Sequence, residues 1–80
     1  MKVDILTFGI TKQIIGKTIF SFDVPDLCTV NQLKILLENE FSELKNLGSL
    51  HIAVNNEYSE MEQVLNAGDE IALIPPVSGG

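Results

Sequence analysis

Residues 29–44, TVNQLKILLENEFSEL, decide the fold class. Thr29 and Gln32 stand three apart ahead of an apolar run. In that arrangement the Thr hydroxyl accepts from the third helical N–H and the Gln side chain reaches back to the cap. Val30, Leu33, Leu37, Phe41 and Leu44 then recur at spacings of three and four, which is one apolar stripe of a helix, while Lys34, Glu38 and Glu43 fall off it. Gly48 is the expected C-terminal stop.

Upstream, residues 2–8 (KVDILTF) are short and rich in β-formers, and Gly9 closes them; they read as a strand. Residues 10–15 read as a turn or loop. Residues 17–24 read as a second strand, completing an antiparallel hairpin that Pro25 ends. Downstream, residues 50–55 (LHIAVN) alternate as a buried strand. Asn55–Asn56 makes a two-residue turn because Asn tolerates positive φ. Residues 57–61 form a short return strand, Gly68–Asp69 a turn, and residues 70–74 (EIALI) a last strand stopped by Pro75–Pro76. The order strand, strand, helix, strand, short strand, strand predicts an α+β chain of β-grasp type, a mixed sheet packed against one main helix. Other α+β folds share this order. The reading gives one domain over residues 1–80, with residues 75–80 an extended functional tail.

Eighty residues leave little interior for a catalytic pocket. Hydrophobic residues are nonetheless 45% of the chain and mean hydropathy is +0.23, so some apolar surface is expected to face a partner. Eleven Asp/Glu against five Lys and no Arg give a formal charge of −6. Nucleic-acid and anionic-membrane binders need clustered cations, so those classes are disfavoured. The single cysteine, Cys28, rules out an internal disulfide and any multi-cysteine metal site. Asp4 interrupts the first apolar stretch, unlike a secretory signal, and no run suffices to span a membrane. A cytoplasmic, reduced protein is expected.

The chain ends Pro75–Pro76–Val77–Ser78–Gly79–Gly80. Two terminal glycines arise by chance in about 0.5% of chains at ordinary glycine usage. A frayed or engineered tail is the bland explanation. Against it, the proline pair makes a stiff stalk directly after the last strand, and no side chain of that stalk is charged. Gly79 and Gly80 can thread a narrow channel and leave the terminal carbonyl unhindered. A carboxylate is a poor acyl electrophile until adenylation by ATP supplies a leaving group. A sulfur nucleophile then gives a thiocarboxylate, and an amine or thiol gives a conjugate.

With residues 3–9, Ala53–Val54–Asn55, Gly68–Asp69–Glu70 and the terminal PPVSGG, the chain resembles the small subunits of molybdopterin synthase, within the ubiquitin-like sulfur-carrier family. The resemblance implies that an E1-like adenylating enzyme activates Gly80 with ATP and that a persulfide donor supplies sulfur indirectly. The tail, Pro75 to Gly79, then enters the large synthase subunit. There sulfur passes to a pyranopterin precursor to build the molybdopterin dithiolene. It also implies a heterotetramer of two large and two small subunits, with the catalytic residues on the large one and no cofactor bound here. The family often has Asn–Gly where this chain has Asn55–Asn56, which bears on the turn and not on the chemistry.

Alternation along the first and last strands points Val3, Ile5, Ile71 and Leu73 to the helix and leaves Asp4, Leu6, Phe8, Glu70, Ala72 and Ile74 outside. If those strands are neighbours, Leu6, Phe8, Ala72 and Ile74 form an apolar partner patch flanked by His51 and Ala53. The competing expectation is that residues 9–16 cover Leu6 and Phe8. His51 lacks clustered ligands and reads as a strand residue at the interface edge rather than a metal ligand. Cys28 reads as an inert buried thiol and Lys17 and Lys45 as solvated surface. Three other functions remain open: a carrier for another pathway such as thiamin thiazole synthesis, a protein modifier, and an interaction module. Modifiers such as ubiquitin place arginine before Gly–Gly, and this chain has none.

Overall fold

A computed structural model describes residues 1–76. The elements are β1 (Lys2–Thr7), α1 (Ile10–Ile15), β2 (Ile19–Asp23), α2 (Val30–Glu40), a 3₁₀ helix (Ser42–Asn46), β3 (His51–Val54), β4 (Glu57–Tyr58) and β5 (Glu70–Ile74). The strands form one sheet in the order β2-β1-β5-β3-β4. β1 and β5 are parallel and every other pair is antiparallel. With α2 packed across one face, this is the β-grasp arrangement.

The α2 cap is reciprocal. Gln32 N–H donates to Thr29 Oγ1 at 3.2 Å, and Thr29 N–H donates to Gln32 Oε1 at 2.9 Å. Two further first-turn amides are satisfied from outside the helix, Val30 N–H by Gln63 O and Asn31 N–H by Met61 O. The stretch after β4 is thereby pinned to the start of α2. Val30, Leu33 and Leu37 of α2 are buried against Val3 and Ile5 of β1, Ile52 and Val54 of β3, and Ile71 and Leu73 of β5.

Four local expectations need correction. Residues 10–15 are a helix rather than a loop. This turn forms because Thr11 is fully buried, Ile14 and Ile15 pack against the core, and Gly16 closes it in the left-handed region at φ 84°. Strand β2 begins at Ile19, two residues later than expected. The α2 stripe does not continue to Leu44, because the helix ends at Glu40 and Phe41 caps it with φ −125° and ψ 81°. Leu44 reaches the core instead from the 3₁₀ helix, whose cap is Leu47, so Gly48 stops nothing. The return strand is only Glu57–Tyr58, because the chain then turns to meet α2. The Asn55–Asn56 turn has φ 52° and 72°, the positive pair a tight hairpin needs.

Candidate functional site

Parallel pairing of β1 with β5 and antiparallel pairing on either side align five residues across the outer face. Ile19, Leu6, Ala72, Ala53 and Tyr58 stand in one row, each opposite the next. Ala53 pairs with Ala72 in the same way. The adjoining row holds His51 opposite Ile74, with Phe8 one residue beyond the Thr7–Leu73 pair. On the far side of the apolar row the face turns polar: Ser21 is opposite Asp4, and Asp4 opposite Glu70. Asn55 fixes that end, accepting from Glu70 N–H at 3.0 Å and donating to Asp69 Oδ1 at 3.1 Å.

The outer face is therefore divided, and its apolar half lies at the end where β5 finishes. Phe8 is 50% exposed and Tyr58 73%. Leu6, Ala72 and Ile74 are half-buried, while Ala53 is buried between its neighbours. A shallow groove of about 310 Å³ runs here, lined by Phe8, Ala53, Asn56, Tyr58, Ala72 and Ile74. Helix α1 does not cover it. It packs against β1 and the 3₁₀ helix, with Ile14 and Ile15 turned to the core.

Pairing of β5 with β3 ends at Ile74–His51. Pro75, which has no N–H to continue a ladder, follows half-buried, and Pro76 is exposed. The expected site residues Val77, Ser78, Gly79 and Gly80 lie outside the described residues.

His51 is exposed and packs edge-on to Tyr58, ring centroids 5.8 Å apart. No group of three or more His, Cys, Asp or Glu among the described residues is placed to hold a metal. Cys28 is buried, its Sγ 3.4 Å from Thr29 O, and burial pushes its thiol pKa up, away from the reactive thiolate. No helix among the described residues is long and apolar enough to cross a membrane.

Ile19 and Tyr58 were not legible as members of the apolar face, since their place depends on strand register. Their only sequence signal is an apolar or aromatic residue at an outward parity of a short strand.

The model of the ThiS family matches residues 5–80. The chain belongs to the ThiS family. No curated protein matches it. Among solved structures, this ThiS-family chain is similar to small archaeal modifier protein SAMP1 from Haloferax volcanii, at 25% identity over 100% of both chains and a TM-score of 0.86. It is also similar to a chain of the complex of subunits 1 and 2 of molybdopterin-converting factor from Helicobacter pylori 26695, at 28% identity over 100% of both chains and a TM-score of 0.69. A chain of the BexX/CysO complex from Amycolatopsis orientalis shares the fold, at 21% identity over 98% of this chain and 99% of that one, with a TM-score of 0.70.

Proposed function

We propose that this ThiS-family protein is the sulfur-carrying small subunit of a molybdopterin synthase, acting through the carboxylate of Gly80. The observation that supports this most is the placement of Pro75. Pro75 follows a central strand whose last residue, Ile74, pairs with His51 beside Phe8, so a partner seated on the apolar half of the sheet lies where the chain leaves it. Two of the similar chains come from complexes with a partner protein, which agrees with this chain having one.

In this reading an adenylating enzyme joins Gly80 to AMP and releases pyrophosphate. A persulfide sulfur attacks the activated carbonyl and AMP leaves. Reduction by a thiol then frees the thiocarboxylate. The larger synthase subunit takes the tail, and the sulfur passes to the pyranopterin precursor. This chain contributes docking and reach rather than general acid–base groups.

The likeness to the Haloferax modifier supports a second reading, conjugation of Gly80 to lysine amines. Both readings share the adenylate and part at the nucleophile. The test is incubation with ATP, the adenylating enzyme and a persulfide donor, read by intact mass. Replacement of one oxygen by sulfur, with no lysine adducts, is the expected result. Deleting Gly80, or adding one residue, shifts the carbonyl by roughly 3.3–3.6 Å. Both variants are expected to dock yet gain no sulfur. A tail-deleted chain that still supports dithiolene formation overturns the reading.

A further inference from the structure

Parallel strands reach the same edge of a sheet side by side, and β1 and β5 do so here. The Thr7–Leu73 register brings Phe8 beside Ile74 and the next residue, Gly9, beside Pro75. At that point one chain turns away and the other continues out.

The turn is made at Gly9, with φ 55° and ψ −128°. Side-chain-bearing residues rarely occupy this region. A Cβ added there would stand 3.4 Å from Pro75 Cγ, an ordinary contact, so Gly9 and Pro75 are direct neighbours and it is the backbone conformation that calls for glycine. Two residues later Thr11 is fully buried. Its hydroxyl accepts from Phe8 N–H at 2.9 Å and lies 2.6 Å from Phe8 O and 3.5 Å from Leu73 O. The single hydroxyl hydrogen goes chiefly to the nearer Phe8 carbonyl. One side chain thus ties the turn to the end of β1 and reaches the end of β5. Thr7, the other buried polar residue among the described residues, directs its hydroxyl to the Lys17 and Thr18 carbonyls and anchors the segment beyond α1 to the same strand end. Buried hydroxyls add little to an apolar core and are costly unless paired. Here they are paired at the one place where the C-terminal segment leaves the sheet.

We infer that Gly9 and Thr11 form a bracket that sets the direction in which Pro75 leaves the sheet, and so act as positioning residues for the C-terminal segment. The kinetic consequence rests on the reading of Gly80 as the reacting end; the geometric one does not.

The test uses the full chain carrying Ser78→Cys with a nitroxide label, Cys28 being shielded by burial. Paramagnetic broadening is read at the amides of Phe8, His51 and Ile74. Thr11→Val and Gly9→Ala are expected to redistribute that broadening and Thr11→Ser to restore it. Unlabelled variants are then compared in ATP–pyrophosphate exchange on the adenylating enzyme. A fall in kcat on the order of 10- to 100-fold with KM unchanged is expected for Thr11→Val, since small misplacements carry such costs. Rescue by Thr11→Ser separates positioning from simple loss of fold. If either substitution prevents folding, Thr11→Ala, which removes the hydroxyl and leaves a smaller side chain, is read for the same redistribution. Folded variants that keep the wild-type broadening overturn the bracket. A wild-type chain that supports no exchange overturns the sulfur-carrier reading and leaves the broadening to decide the bracket.

Discussion

Strands β1 and β5 carry two faces that differ in kind although they alternate residue by residue. On the inner face Val3, Ile5, Ile71 and Leu73 are wholly buried. On the outer face Leu6, Ala72 and Ile74 are half-covered and Phe8 is exposed. Hydropathy alone does not separate these sets, since leucine and isoleucine occur on both. The difference is that one face has α2 against it and the other has no covering element among the described residues. The inner face contributes stability, and the outer face is available for association.

The sharpest way to break this comparison is Leu73→Ala. A cavity in the packed inner face is expected to cost about 2–5 kcal/mol, read as a lower midpoint in urea unfolding. A loss below about 1 kcal/mol would mean that the two faces are not energetically distinct.

A smaller effect comes from Cys28, on the buried side. Its pKa is raised by burial, so the folded state holds the thiol proton more tightly than the unfolded chain. This contribution is fully present below the ordinary thiol value of about 8.5 and is lost as pH rises from there toward the raised value. Stability of the wild type is therefore expected to fall with pH across that alkaline window, and Cys28→Ala is expected to flatten the fall. Equal slopes in the two proteins would show that the thiol is not shielded.

The smallest effect on stability is expected at Phe8→Asp, within about 0.5 kcal/mol of wild type by the same urea measurement. Co-elution with the large synthase subunit is expected to be lost. A variant that docks normally would remove the outer face from the proposed interface, and one that unfolds would show that Phe8 belongs to the core.

Much of the architecture was legible because it is governed by local pattern. The Thr29–Gln32 cap, the α2 stripe through Leu37, the strand parities and the Asn55–Asn56 turn each follow from a few neighbouring residues. Helix α1 was not legible. Three of its six residues are isoleucine and one is threonine, all poor helix formers, and six residues seldom hold a helix unaided. It exists because Thr11 is buried, and Ile14 and Ile15 half-buried, against partners distant in sequence. The same reason hid Leu44's route into the core and the membership of Ile19 and Tyr58 in the outer face.

By itself, then, the sequence determined that α2 is a helix, that five segments are strands and which residues of each strand face together, because periodicity is a property of the chain alone. The tertiary structure decided which strands are neighbours, that α1 turns toward the core and leaves Phe8 open, and that Gly9 lies against Pro75 while Thr11 reaches the end of β5. Those outcomes depend on contacts between segments far apart in sequence, as between Thr7 and Leu73 across β1 and β5, and no local pattern records them.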